Sequence, residues 1–254
     1  MNFLTAVHTD IGIRKKTNQD SALIMEAETD LGRVLLTVIC DGMGGLSKGE
    51  LASAVVVRAF DEYFCNQLPY EIVSLNWHKL SFAVERKLKD LNLDLLKYGE
   101  EHNVRLGTTV TGILAVNESY MSWHVGDTRI YKIQDKAEQL TQDHTFVARE
   151  VEKGTMTYEE AMHDKRKNAL LQCVGASRSI EPDIRFGNIE ANTNYLICSD
   201  GFRHHISSED IAKYLNGNEV YDKEEIEKAL RHLTEIVKGK KEQDNISALV
   251  IRKR

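Results

Sequence analysis

Apolar residues in the first half of the chain change from strand-like to helix-like spacing. Residues 33–40 form a short run rich in Val, Ile and Leu that ends at an Asp-Gly step, which predicts a buried strand. A helix is predicted from Ser47, because Glu50 follows three residues later in capping-box spacing. Its apolar face would consist of Leu51, Val55, Ala59 and Tyr63. Leucines and valine at steps of three and four predict a second long helix over residues 77–98.

The second half of the chain alternates between strand and helix signals. Strands are predicted at residues 108–116, 120–133, 184–189, 195–198 and 245–253. Helices are predicted at residues 208–215 and 223–237. Residues 140–179 are polar and helical only in short pieces, which is typical of an insertion on the surface. Grouped strands and paired helices indicate an α+β protein with mainly antiparallel sheets, and not a doubly wound parallel sheet.

Composition and charge describe an ordinary globular protein. The chain has 254 residues, of which 42% are apolar and 28% are charged. Lys plus Arg number 33 against 39 Asp plus Glu, and this balance argues against a nucleic-acid binder. We find no Pro/Gly/Ser-rich linker and no tandem repeat, so we predict a single domain over residues 1–254.

The cysteines and the apolar runs bear on the compartment. Cys40, Cys65, Cys173 and Cys198 show no C-x-x-C pairing, which predicts free thiols in a reducing compartment. The N-terminal residues lack a signal-peptide pattern, and no window approaches the ~20 apolar residues of a membrane span. We therefore expect a cytoplasmic protein without a membrane anchor.

Five aspartates share one setting, the border between a structured run and a turn. They are Asp20, Asp41, Asp127, Asp200 and Asp244. A single Asp-Gly step is common turn chemistry. Five carboxylates at strand ends can instead converge at one edge of a shared core, where like charges repel and burial raises their pKa values. A divalent cation removes that conflict, and ligands that are all oxygen suit Mg²⁺ or Mn²⁺.

The chain lacks the motifs of several other phosphate-binding and metal-binding sites. There is no G-x-x-x-x-G-K-[ST] loop, no EF-hand loop and no H-E-x-x-H pair. His204 and His205 are adjacent, so their side chains could not readily share a metal, and we interpret them as a surface turn.

Seven motifs in order resemble a known family. They are "TDIGIRKKTNQDS", "VICDGMGGLSKGELAS", "GTTVTGIL", "WHVGDTRIYKI", "LTQDHTFV", "ICSDGF" and "DNISALVI". Together they are similar to the successive motifs of the type 2C, metal-dependent serine/threonine protein phosphatases (the PPM family), and "DGMGG" resembles the bacterial branch. The resemblance implies a four-layer αββα sandwich, two antiparallel sheets flanked by pairs of helices. The insertion would be a small helical flap at about residues 141–179.

The resemblance also assigns roles to the aspartates. Asp41 would bridge two Mn²⁺ or Mg²⁺ ions, with the backbone carbonyl of Gly42 as a further ligand. Asp200 and Asp244 would hold the other ion of the pair, and Asp20 would contribute through water. Asp127, with Asp200, would bind a third and weaker ion.

The chain departs from the family pattern at the phosphate-binding residue. Family members usually have Arg where this chain has Lys15, and Arg14 comes just before it. Neighbours in an extended segment point to opposite faces, so we predict that Lys15, and not Arg14, contacts the substrate phosphate. Met43 stands where some relatives have His, which leaves the general acid open, with His144 as a weak candidate. The flap reads "HDKRKN" where relatives often have His-Pro and Arg-Asn, so we expect its tip to differ from theirs.

The function implied is hydrolysis of phosphoserine and phosphothreonine on proteins by a metal-activated water, without a phosphoenzyme. Two alternatives stay open: a catalytically silent relative that acts as a regulatory binding module, and a phosphatase for small phosphate esters. The expected partners are phosphoprotein substrates and a cognate Ser/Thr kinase, and the expected state is a monomer.

Overall fold

The computed structural model of the protein describes residues 2–43 and 48–254. Within those ranges the chain forms ten strands and eight helices. The strands are β1 (Phe3–Asp10), β2 (Asp20–Thr29), β3 (Gly32–Asp41), β4 (Val110–Val116), β5 (Ser119–Val125), β6 (Arg129–Ile133), β7 (Ala137–Gln139), β8 (Asp183–Asn188), β9 (Asn194–Cys198) and β10 (Ile246–Lys253). The helices are α1 (Gly49–Asn66), α2 (Leu68–Glu71), α3 (Trp77–His102), α4 (Phe146–Glu152), α5 (Tyr158–His163), α6 (Asp200–Arg203), α7 (Ser208–Leu215) and α8 (Lys223–Gly239).

The strands form two antiparallel sheets. One has the order β1-β10-β9-β6-β7 and the other the order β2-β3-β4-β5-β8. The strand pairs are all antiparallel among the described residues. The predicted α+β class with antiparallel sheets is confirmed.

The sheets are buried on both faces, and β3 shows how one strand serves two cores. Successive side chains of a strand point to opposite faces. Val34, Leu36, Val38 and Cys40 therefore belong to the core beneath α1 and α3. Leu35 and Ile39 belong to the core between the two sheets, together with Leu249 and Ile251 of β10. This double burial is why the run reads as continuously apolar and not as alternating.

Helices cover the outer face of each sheet. Leu80, Val84 and Leu88 of α3 recur at helical spacing and pack into the first core. Leu230 and Leu233 of α8 pack into a third core on the other sheet, together with residues of α7. Three cores separated by two sheets give the four-layer αββα sandwich that the family resemblance implied.

The structure differs from the sequence prediction in several elements. The predicted strand at residues 120–133 is two strands, β5 and β6, which belong to different sheets. Gly126 ends β5 with φ +115°, a backbone conformation that only glycine adopts readily, so the chain turns from one sheet to the other. β1, β2, β7, α2 and α6 were not predicted. The predicted capping residue Ser47 lies outside the described residues, and α1 begins at Gly49.

The insertion at residues 141–179 holds the two short helices α4 and α5, as its pattern predicted. Thr145 caps α4, and a complete capping box of Thr157 and Glu160 begins α5. The four cysteines are free thiols. In the described part of the chain, no helix combines the length and the apolar character needed to cross a membrane.

Candidate metal centre and active site

Asp20 and Asp41 face each other across the first hairpin of the second sheet. They are the last register pair of β2 and β3. Residues directly opposite in an antiparallel pair have Cβ atoms about 4.5–5.5 Å apart, and like charges in that position destabilise the sheet. The backbone of Asp41 is held on its other side, where its N–H donates to Thr109 Oγ1 at 3.0 Å and its carbonyl accepts from the Thr109 N–H at 2.9 Å.

Asp127 and Asp200 come from the other sheet. Arg129 of β6 is the register partner of Cys198 of β9, and each aspartate lies two residues beyond its member of that pair. The two carboxylates therefore emerge at the same end of neighbouring strands. Gly201 allows the chain after Asp200 to approach the backbone of β10, because a Cβ at Gly201 would lie 2.1 Å from the Asn245 carbonyl oxygen.

Asp244 completes the set from the loop before β10. The next residue, Asn245, anchors the β1–β2 loop: its Oδ1 accepts from the Gln19 N–H at 2.9 Å, and its Nδ2 donates to the Ile11 carbonyl at 2.9 Å. Asn245 Nδ2 also donates to the Thr17 carbonyl at 3.2 Å. This side chain, which the sequence motif "DNIS" contains but did not reveal as an anchor, fixes β2 and Asp244 relative to each other.

Burial and mutual repulsion both raise the pKa values of carboxylates in this cluster. Burial raises the pKa of Asp20 to about 7, and the negative charges of Asp200 and Asp244 add to this effect. Burial, followed by the charge of Asp20, raises the pKa of Asp41 well above its ordinary value. Burial and the charge of Asp200 raise the pKa of Asp127 to about 7, against the opposing charge of Arg203.

Orphaned oxygens in this cluster fit a cation. Both carboxylate oxygens of Asp20 and one of Asp200 are buried without a hydrogen bond of good geometry, although the Ser247 hydroxyl is near enough to lower the pKa of Asp20. A buried polar atom without a partner costs free energy, and a divalent ion would satisfy several at once. In residues 2–43 and 48–254, no group of three or more His, Cys, Asp or Glu side chains has an arrangement that could hold a metal ion. The residues nevertheless fit a cation in donor type and in charge. Water and backbone groups, including the Gly42 carbonyl, would complete its coordination shell.

Lys15 and Arg14 contact different groups, although residues 12–14 form a turn and not the extended segment assumed from the sequence. Lys15 Nζ lies 2.6 Å from Asp244 Oδ1, so its ammonium reaches the carboxylate cluster. Arg14 instead donates to the side chain of Gln243. Lys15 is the cation that the β1–β2 loop presents to the cluster.

Three charged residues that the sequence did not reveal connect the flap to the cluster. Arg203 donates through Nη2 to the Asp127 carbonyl at 2.9 Å and lies 3.3 Å from Asp143 Oδ2. Asp143, at the start of the flap, binds Arg129 in a bidentate pair at 2.8 Å and 2.7 Å. The only sequence signal was their position beside recognised motifs, Arg203 after "SDGF" and Asp143 in "LTQDHTFV".

The histidines and Met43 have other surroundings than the sequence suggested. His144 Nδ1 accepts from the Gly126 N–H at 3.1 Å, and its Nε2 lies 3.4 Å from Asp183, so the ring is committed to the base of the flap. Met43 donates its N–H to the Gly107 carbonyl at 3.0 Å. His204 and His205 do lie in a turn, but the interpretation as a plain surface turn is incomplete, because both rings face the buried carboxylate of Glu242 at 3.4 Å.

A cleft of about 1040 Å³ opens beside the cluster, between the flap and the body. Of the five aspartates, Asp127 alone lines it, together with Arg203 and with Val147, Tyr158 and Met162 of the flap. The cleft therefore combines charged and apolar side chains.

Comparisons with known proteins agree with this arrangement. The family model of protein phosphatase 2C matches residues 13–250. A putative protein phosphatase 2C-type protein of Streptococcus pyogenes serotype M6 is 29% identical over 220 residues, which cover 83% of this chain and 83% of that relative. The crystal structure of the serine/threonine phosphatase Stp1 from Staphylococcus aureus superposes with a TM-score of 0.88 at 26% identity, covering 100% of this chain and 96% of the other. The catalytic domain of the serine/threonine protein phosphatase PstP, solved in complex with 2 manganese ions, has a TM-score of 0.76 at 27% identity and covers 98% of this chain and 97% of its own.

The chain belongs to the protein phosphatase 2C family. It is a protein serine/threonine phosphatase whose activity is metal-dependent, and its relatives are bacterial members of the family. The function and family that the seven sequence motifs implied are confirmed.

Proposed function

We propose that the five aspartates form a centre for two Mn²⁺ or Mg²⁺ ions with a third, weaker site. Asp41 and the carbonyl of Gly42 would be ligands of the ion pair, Asp200 and Asp244 would hold the second ion, and Asp20 would contribute through water. Asp127 and Asp200 form the third site. The observation that carries this proposal is the set of buried carboxylate oxygens on Asp20 and Asp200 that lack a hydrogen bond of good geometry. The two manganese ions bound by the PstP catalytic domain support manganese as one of the metals.

When bound, a two-ion centre supplies an activated water and neutralises the developing charge of an in-line displacement at phosphorus. The residues of this chain then need only hold the metal ions and orient the substrate. The rigid ends of β3 and β9 present Asp41 and Asp200. Because the attacking group is water, no side-chain nucleophile and no phosphoenzyme are required. Asn245 keeps the β1–β2 loop in register with the Asp244 loop.

Lys15 is proposed to bind the substrate phosphate. Its ammonium is a compact charge with rotatable donors, and it lacks the bidentate fork of arginine. It is already placed at the cluster by its 2.6 Å contact with Asp244. Arg14, which contacts Gln243, is assigned a smaller and indirect role.

The cleft supports phosphorylated polypeptides as substrates. It continues from Asp127 along the flap, where Tyr158 and Met162 are exposed and able to contact side chains that flank a phosphoserine or phosphothreonine. From the family resemblance alone, we further propose a cognate Ser/Thr kinase in a signalling pair, a bacterial cytoplasmic setting and a monomer. The core between the two sheets supports one catalytic domain, because both sheets contribute to it.

The test is phosphate release from phosphoserine and phosphothreonine peptides by the metal-stripped protein, with and without added Mn²⁺. Activity is expected only with the metal, and Asp41→Ala should abolish it. Asp30→Ala, an exposed aspartate in the turn between β2 and β3, is the matched control and should retain activity. No activity at any Mn²⁺ concentration, or full activity in excess EDTA, contradicts the proposal. Calorimetry with Asp127→Asn tests the third site, since this variant should keep the two tighter sites and lose the weak one.

A further inference from the structure

A buried carboxylate closes the turn that presents Asp244. Glu242 lies in the loop between α8 and β10, and its side chain is only 7% exposed. Its Oε1 accepts from the backbone N–H of Gln243 at 2.6 Å and of Asp244 at 2.9 Å. One carboxylate oxygen thus fixes two successive peptide groups, and the direction in which the chain delivers the Asp244 side chain depends on that oxygen.

The other oxygen of Glu242 connects this turn to a second one. Glu242 Oε2 lies 3.4 Å from His204 Nδ1 and 3.4 Å from His205 Nε2. The far nitrogen of the His204 ring, Nε2, lies 3.5 Å from Asp200 Oδ2. Lys240 steadies the pair, because its Nζ donates to the His205 carbonyl at 2.7 Å. His204 therefore stands between the turn that carries Asp200 and the turn that carries Asp244.

The charge of Glu242 is compatible with its burial only because of these partners. Two backbone N–H groups satisfy Oε1, whereas Oε2 is buried without a hydrogen bond and has only the two imidazole rings at 3.4 Å. Removal of this carboxylate is costly, because it leaves the two N–H groups without a partner.

We propose that Glu242 is a positioning residue of the metal centre, which orders the Asp244 turn and couples it through His204 to Asp200. The inference rests on the proposed function, since it takes Asp200 and Asp244 to be metal ligands. Groups that hydrogen-bond to metal ligands without contacting the metal typically lower metal affinity by about 10–100-fold when they are removed. The phosphatase motifs assigned no role to Glu242, which immediately precedes "QDNIS".

The experiment is a Mn²⁺ titration of the metal-stripped protein by calorimetry. Glu242→Ala is expected to raise the Kd for Mn²⁺ by about 10–100-fold. Glu242→Gln keeps an oxygen that can accept from the two N–H groups, so it should restore most of the affinity. Glu235→Ala is the matched control, because Glu235 lies on α8, is 70% exposed and gives the same change in charge. The thermal midpoint in EDTA reports whether each variant is folded.

A second variant tests the link to Asp200. His204→Ala should raise the Kd for Mn²⁺ by less than Glu242→Ala does. The double variant should lose less Mn²⁺-binding free energy than the sum of the losses in the two single variants, because both residues act through the same contact. If Glu242→Ala is unfolded in EDTA, then Glu242→Gln and His204→Ala carry the test.

The possible results separate the inference from the proposed function. If the wild-type protein binds no Mn²⁺, the metal centre itself is wrong. If the wild-type protein binds Mn²⁺ and folded Glu242→Ala binds it equally well, the positioning role is overturned. The positioning role is also overturned if Glu242→Gln binds Mn²⁺ no more tightly than Glu242→Ala does. It is overturned as well if His204→Ala binds Mn²⁺ with wild-type affinity and the double variant shows the full sum of the two single effects.

Discussion

Asp20 and Asp41 are register partners at the end of the β2–β3 hairpin, with both oxygens of Asp20 buried and without hydrogen bonds. When both carboxylates are ionised they repel each other, and either a bound cation or protonation relieves that repulsion. Replacing one member with a neutral isostere should stabilise the apoprotein and at the same time remove its response to metal.

The first prediction concerns Asp20→Asn. In EDTA its thermal midpoint should exceed that of the wild type by up to about 4 °C, because an opposed like-charge pair costs about 0.2–1 kcal/mol. Added Mn²⁺ should then raise the midpoint much less than in the wild type. Differential scanning calorimetry with and without Mn²⁺ measures both effects. Asp30→Asn, at the other end of the hairpin, should behave as wild type, and a lower midpoint for Asp20→Asn in EDTA would refute the repulsion argument.

The second prediction separates Lys15 from Arg14. Lys15→Ala should lower kcat/KM on an aryl phosphate by about tenfold to a hundredfold, the value of a charge-assisted hydrogen bond to phosphate. Arg14→Ala should change it much less, because that side chain contacts Gln243. Steady-state kinetics at saturating Mn²⁺ compare the two variants. The assignment is wrong if Lys15→Ala leaves turnover and KM unchanged while Arg14→Ala impairs them.

Lys15 also has an expected effect on metal binding, independent of catalysis. Its ammonium lies 2.6 Å from Asp244 Oδ1 and must share or yield that oxygen when a cation binds. Lys15→Ala should therefore bind Mn²⁺ up to about fivefold more tightly, which corresponds to a partly exposed ion pair of at most about 1 kcal/mol. Calorimetry on the metal-stripped protein measures this change, and weaker binding would show that Lys15 does not compete for Asp244.

The third prediction concerns the buried guanidinium that joins the flap to Asp127. Arg203→Met should destabilise the protein by about 3–5 kcal/mol, because Asp127 and Asp143 lose a partner in a buried site. Urea unfolding in EDTA measures the free energy of unfolding. Asp127→Asn added to Arg203→Met should recover part of the loss, since Asp143 keeps its bidentate pair with Arg129. Arg178→Met, at an exposed position, should cost little. A change below 1 kcal/mol in Arg203→Met would contradict this role.

The fourth prediction is a pH dependence that arises at His124. Burial lowers the pKa of His124 to about 3, and the unfolded chain has the ordinary value of 6.5. Between these values the unfolded state binds the extra proton, so the stability that His124 supports is present above pH 6.5 and is lost as the pH falls toward 3. His124→Asn keeps a polar atom for Thr111 and should reduce this slope by up to about 1.4 kcal/mol per pH unit. Urea unfolding at pH 7 and pH 5 in EDTA measures the slope, and parallel slopes for the two proteins would exclude the effect.

Sequence reasoning succeeded where local pattern and function coincide. β3 was predicted because a doubly buried strand is continuously apolar, and Asp41 was noticed because such a strand rarely ends in a carboxylate. The strand at residues 120–133 was wrong, because its two halves are equally β-like and only Gly126 marks the change of sheet. Arg203 and Glu242 were missed for a different reason. Their roles depend on partners distant along the chain, Asp143 for one and His204 for the other, and no local spacing encodes such contacts.

The placement of Asp41 opposite Asp20 also depends on the far end of the same hairpin. β3 is apolar on both faces, so hydrophobicity alone does not specify its register, and a slip by one residue would move Asp41 to the opposite face. The register is set at the turn, where Thr29 pairs with Gly32 and its hydroxyl donates to the Gly32 carbonyl at 2.9 Å. Ten residues of strand place that turn roughly 30 Å from the carboxylates. A surface hairpin turn thus acts as a remote determinant of metal-site geometry, and loop engineering at residues 29–32 is in effect active-site engineering.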